Sequence, residues 1–164
     1  MNAENQIASS VSGRTVPYEL PEGKATVVRC HRHLVTERDI RHFRQAIGET
    51  DPDGQGQCDP ATAPLLFCQM FAYEDVSPEA LLPDGSPREL RVPVPAERTM
   101  GGNSDFEFFG EVRAGDEITV TTMLKQIYQR EGRSGTLFFV EVQTDFVNQE
   151  SVLVARETAT YVKR

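Results

Sequence analysis

Residues 117–130 read EITVTTMLKQIYQR, residues 136–147 TLFFVEVQTDFV and residues 152–162 VLVARETATYV. All three runs are rich in β-branched and aromatic residues, the composition of a strand. In the first, Ile118, Val120, Thr122 and Leu124 share one face, and Thr119, Thr121, Met123 and Lys125 the other. The links are short. Glu131-Gly-Arg-Ser-Gly135 reads as a five-residue hairpin loop, and Asn148-Gln-Glu-Ser151 as a turn. Strands joined this closely are antiparallel neighbours, so the second half of the chain predicts a meander.

The first half has a different texture. Ala25 to His33 reads as a strand. Thr36, with Asp39 three residues on, marks a helix start close to a capping box. Ile40, Phe43, Ala46 and Ile47 give a short amphipathic helix from Glu37 to Ile47, ended by Gly48. Residues 48–60 hold three Gly and two Pro and read as a loop. Residues 61–73 are apolar almost all round, which predicts a buried helix with Pro64 near its start. Pro78, Pro83, Pro87, Pro93 and Pro95 predict an irregular connection with one short helix at 78–82. Phe106 to Glu111 is a further strand candidate, and Gly115-Asp116 a turn. Helices before a meander predict a single α+β domain over 25–164, with the helices on one sheet face. Residues 1–24 read as a polar arm, draped or mobile.

Composition removes several functions. The 164 residues carry 17 Lys+Arg against 25 Asp+Glu, a formal charge of −8 with no basic cluster, so no nucleic-acid partner is expected. No apolar run approaches the ~18 residues of a transmembrane helix, and no signal-peptide pattern opens the chain. A soluble, cytoplasmic protein is expected. Cys30, Cys58 and Cys68 read as reduced thiols without a C-x-x-C pair.

Chemistry-bearing groups are few. His31 and His33 share a strand face, yet no third ligand stands near, so no metal and no other cofactor is expected. The acidic loop Glu49, Asp51, Asp53, Asp59 has Pro60 where a calcium loop needs a glutamate. Gly101-Gly102-Asn103 before a strand permits close approach of backbone to a ligand. No G-x-S-x-G nucleophile elbow occurs.

The ordered series Thr36-Glu37-x-Asp39-Ile40-x-x-Phe43-x-x-Ala46-Ile47-Gly48, Asp51-Pro52 and Asp59-Pro60-x-x-Ala63 resembles the opening of MaoC-like dehydratases. Gly101-Gly102, Asp105-Phe-Glu-Phe108, Val112-Arg-Ala-Gly-Asp116, Arg133-Ser-Gly135, Asn148-Gln149 and the last strand resemble the N-terminal, FAS1-like dehydratase branch of that family. The resemblance runs from about Ala25 to the end. It implies a hot-dog fold, a curled antiparallel sheet wrapped around a central helix. It also implies hydration or dehydration between 2-enoyl and (R)-3-hydroxyacyl thioesters of CoA or acyl carrier protein.

Active members resemble one another in a G-D-x-N-P-x-H segment, whose Asp activates water and whose His moves the proton at Cα. Laid on that segment, residues 48–54 put Glu49 in the Asp slot, Asp51 in the Asn slot and Gly54 in the His slot. The resemblance therefore implies a degenerate site at Glu49 and Asp51, with Pro64, Leu65, Phe67, Gly101, Gly102 and Asn103 as acyl-contact candidates. Three functions remain open at this point. One is a non-catalytic, acyl-binding subunit that forms a heterodimer with a catalytic MaoC-like chain. Another is a homodimeric hydratase using Glu49 or Asp51 with His31, His33 or His42. The third is an acyl-thioester binder or thioesterase with a lone carboxylate base.

Overall fold

A computed structural model describes residues 15–19, 27–49, 59–72, 77–81, 85, 92, 94–133 and 135–164. Among these residues, six strands form one antiparallel sheet: β1 (Val16–Pro17), β2 (Val27–Leu34), β3 (Thr99–Phe108), β4 (Glu117–Gly132), β5 (Gly135–Val147) and β6 (Leu153–Lys163). Their order is β1-β4-β5-β6-β3, and β2 joins β1 on the same edge of β4. Part of the polar arm thus lies along the sheet, where Tyr18 N–H donates to the Ile127 carbonyl at 2.9 Å.

The helix α1 (Glu37–Ala46) begins as its sequence requires. Thr36 Oγ1 accepts from Asp39 N–H, and Asp39 Oδ2 accepts from Thr36 N–H, each at 3.2 Å. Gly48 closes the helix with φ 76°, a left-handed conformation open to a residue without Cβ. Ile40 is the residue α1 buries fully.

Several expectations shift. The apolar run at 61–73 forms a 3-10 helix, Leu65–Phe71, not an α-helix, and a second 3-10 turn spans Pro78–Ala80. Phe67, Cys68 and Phe71 are buried while Leu65 is 65% exposed, so the segment is one-sided. Its C-terminal carbonyls are taken by side chains of β2, which leaves them engaged away from a continuing helix. The hairpin is tighter than five residues, since the ladder runs on to a Gly132–Gly135 pair. The strand expected at 106–111 begins at Thr99 and ends at Phe108. The even-numbered inward face of β4 holds to Leu124, where a bulge turns Ile127 inward.

Gly102 lets β3 approach β6 closely. A Cβ there would stand 2.5 Å from the Thr160 carbonyl oxygen of β6. The close approach is between two strands of the same sheet, at the irregularity between Gly101 and Ser104. Gly102→Ala is therefore expected to destabilise the protein by about 1–3 kcal/mol through overpacking. Gly101→Ala, where nothing stands within 4 Å, is expected to cost far less. Urea midpoints of the two variants decide this, and equal midpoints would contradict it.

The inner face of the sheet carries two apolar clusters. The first joins Ile118, Val120, Phe146 and Ala155 to Ile40, Phe67, Cys68 and Phe71. The second holds Ile127, Val140, Val142 and Ala159, with Leu124 and Tyr161 against it. The helices cover the first.

Candidate functional site

The family-like segment leaves α1 at Gly48. Glu49 N–H donates to the Arg44 carbonyl at 2.8 Å, and Glu49 Oε2 lies 3.9 Å from Arg44 Nε. The Glu49 side chain is half exposed, whereas that of Arg44 is largely buried. Arg44 also donates to the carbonyls of Asp59 at 3.0 Å and Thr62 at 2.7 Å. It therefore ties together the two ends of the intervening loop. Asp51 and Gly54 lie outside the described residues.

The exit of that loop is fixed by Asp59. Its Oδ1 accepts from Ala61 N–H at 3.0 Å, and its Oδ2 from Thr62 Oγ1 at 2.8 Å and Arg113 at 3.1 Å. The Ala61 N–H and Thr62 hydroxyl, helped by the Arg113 charge, hold the Asp59 carboxyl below the ordinary 3.8. A depressed pKa gives stability that is present above the unfolded value and lost as pH falls through the folded one. Asp59→Asn is expected to lower the urea midpoint at neutral pH. Its difference from wild type should shrink as the pH drops through the Asp59 titration. A difference that stays constant into acid would contradict this origin.

Arg113 links the site to the sheet. It pairs with Glu111 at 2.6 Å, and its N–H donates to Asp116 Oδ2 at 2.7 Å. Gln149 completes the bracket, donating to Asp116 Oδ1 and accepting from Glu117 N–H, each at 3.0 Å. The turns legible as Gly115-Asp116 and Asn148-Gln149 thus hold each other.

The histidines are engaged elsewhere. His31 Nε2 lies 2.8 Å from the Phe71 carbonyl, and a carbonyl only accepts, so Nε2 carries the proton. His33 stacks on the Phe71 ring, with centroids 4.5 Å apart. Arg29 donates to the next carbonyl, Ala72. His42 sits on the exposed side of α1. Among the described residues, no group of three or more His, Cys, Asp or Glu could hold a metal ion. No helix among them is long and apolar enough to cross a membrane.

The acyl-contact candidates divide. Leu65 is exposed, Pro64 half-buried, and Phe67 sits wholly within the core between Phe43 and Phe71. Gly101, Gly102 and Asn103 lie on β3, where Asn103 Nδ2 donates to Asp105 Oδ2 at 2.7 Å. Burial pushes the Cys68 thiol up to about 12, so it packs as a small hydrophobe. Sequence reasoning missed Arg44. Its one signal was a cation in the last turn of α1, which reads equally well as a dipole partner.

No curated protein matches the sequence. Solved structures do, at the level of fold. A chain of the ChsH1–ChsH2 complex from Mycobacterium tuberculosis superposes with a TM-score of 0.62 at 15% identity, covering 86% of this chain and 88% of that one. A chain of the HadBC (3R-hydroxyacyl-ACP dehydratase) complex from the same organism gives 0.55 at 17%, covering 94% and 98%. The MaoC-like dehydratase from Rhodospirillum rubrum gives 0.53 at 22%, covering 89% and 97%. The fold is therefore the hot dog. Residues 25–157 match the FAS1-like, dehydratase domain region. With most of its length so matched, the chain belongs to the FAS1-like branch of the MaoC-like, hot-dog dehydratase family.

Proposed function

We propose that this protein is the acyl-binding, non-catalytic subunit of an (R)-specific enoyl-thioester hydratase, working with a second MaoC-like chain that carries Asp and His. What supports the reading is the family segment, where the resemblance lays Gly54 on the proton-transfer slot, together with the approach of Glu49 to Arg44 at 3.9 Å. General acid–base catalysis needs a titrating side chain within hydrogen-bond reach of the reacting atoms. Glycine offers none. His31 and His33, the histidines of β2, are held by Phe71.

The assembly has a natural seam. Among the described residues β3 is the last strand in the sheet order, and most of its side chains are exposed. An edge strand with free N–H and C=O groups is a template for a second chain. Two neighbours of like fold come from hetero-complexes, HadBC and ChsH1–ChsH2. The substrate by this reading is an acyl thioester of CoA or acyl carrier protein, with cytoplasmic residence. A thioesterase is the second reading, favoured by the half-exposed Glu49 carboxylate.

Co-expression tests the assignment. The chain should co-purify with a MaoC-like subunit bearing an intact G-D-x-N-P-x-H, and the pair should hydrate a 2-enoyl-CoA. A chain that pairs only with itself and hydrates the substrate would refute it. Hydrolysis of the thioester without hydration would favour the second reading.

A further inference from the structure

The two apolar clusters of the inner face are separated by one polar row. Arg29 faces Thr122, Thr122 faces Thr144, and Thr144 faces Glu157, directly opposed across β2, β4, β5 and β6. On β3 Phe106 stands opposite Glu157, and the exposed Ser104, opposite Ala159, reaches across to donate its Oγ–H to Glu157 Oε1 at 2.5 Å. Across β4, β5 and β6 the rows on either side are apolar. One is Val120, Phe146 and Ala155; the other is Leu124, Val142 and Ala159.

This row is buried. Arg29 is 7% exposed, Thr122 2%, Thr144 5% and Glu157 6%. Its members are not equally provided for. Arg29 donates to the Ala72 carbonyl, and the two threonine hydroxyls bond each other at 3.1 Å. Glu157 is different. The hydrogen bond that the described residues give its carboxylate is the one from Ser104. A carboxylate has about four lone-pair sites, so much of its accepting capacity is unused. Two strands lie between Glu157 and Arg29, so the row does not close as an ion pair. Burying a carboxylate with so few donors is costly, and an apolar side chain of similar volume would be the more stable choice. Such local violations of the packing rules concentrate where a ligand is handled.

The position defines the ligand. A chain laid across this face would meet hydrocarbon, then acceptor oxygens, then hydrocarbon. An open cleft of about 920 Å³, with Val94 and Phe138 on its wall, meets the second cluster at Val94. We propose that Glu157, with Ser104 and Thr144, is a specificity site that accepts a hydroxyl in the middle of an acyl chain. The two apolar rows take the hydrocarbon on either side. The proposal rests on the acyl-thioester reading and narrows its substrate to hydroxylated chains. A carboxylate on the chain would be repelled by Glu157, and a ketone would offer it no proton.

The test uses dodecanoyl-CoA, its mid-chain hydroxylated counterpart and its mid-chain ketone. Their binding is measured by calorimetry on the full chain purified with the subunit it binds. The hydroxylated chain should bind about tenfold or more tighter than either other probe, the scale of a hydrogen bond to a charged group. Glu157→Leu should abolish that preference while leaving dodecanoyl-CoA bound. Glu157→Gln, whose amide oxygen still accepts, should retain part of it. Equal binding of the three probes overturns the proposal and leaves the acyl-thioester reading standing. So does a preference that survives Glu157→Leu. Binding of none of the probes overturns both.

Discussion

Phe67→Ala should destabilise the protein by about 3–5 kcal/mol, the range for removing a large aromatic side chain from a core. Phe67 has no exposed surface and sits edge-on to Phe43 and Phe71, with ring centroids 5.7 and 5.5 Å away. Phe71 in turn contacts Phe146 at 6.0 Å and carries the His33 ring on its face. The truncation therefore opens a void where α1, the 3-10 helix and the sheet meet. A domain of this size is held by only about 5–15 kcal/mol, so the loss should lower Tm by roughly 10 °C. Leu65→Ala, two residues away, should change stability by no more than about 0.5 kcal/mol, because that side chain is 65% exposed. Thermal melts of the two variants decide the matter. Equal effects would mean that the one-sided packing of the segment is wrong.

The second large effect concerns catalysis by the proposed pair of subunits. Changing the catalytic histidine of the partner subunit should lower kcat/KM by about 10²–10⁴-fold, the usual contribution of general acid–base catalysis. Glu49→Gln in this chain should change it less than about threefold, since by this account Glu49 moves no proton. Loss of the pair's activity on Glu49→Gln, with the partner intact, would place the chemistry here. Arg44→Ala separates a structural effect from a chemical one. It frees both ends of the loop and should lower stability, because Arg44 bonds the carbonyls of Asp59 and Thr62.

The sequence carried the sheet well because the physics there is local. Alternation along 117–124 and the turns at Gly115 and Asn148 follow from the two-residue period of a strand and from turn chemistry. The capping box at Thr36 was legible for the same reason, being complete within four residues. The bulge after Leu124 was not, because a strand admits an extra residue without any change in composition. Gly101-Gly102 reads as permission for a tight turn. Its use as a close approach to Thr160 depends on a strand some sixty residues further along. The 3-10 character of Leu65–Phe71 has a similar origin. Arg29 and His31 reach its last carbonyls from forty residues upstream, a contact that no periodicity reveals.

The site divides along the same line. The resemblance that lays Glu49 and Gly54 on the family's Asp and His slots is read from the letters alone. What surrounds Glu49 is tertiary. Arg44 bridges a loop, and Asp59 anchors on Arg113, which is 54 positions away. Thr122 was legible as sharing one face of β4 with Ile118, Val120 and Leu124. That Arg29, Thr144 and Glu157 stand in line with it depends on the register of three further pairings.

The most direct test of the central claim is a rate measurement on the chain by itself. Purified without a partner and given a 2-enoyl-CoA, it should hydrate the double bond no faster than buffer, at any pH where it stays folded. Robust hydration by the isolated chain, abolished by Glu49→Gln, would contradict the account.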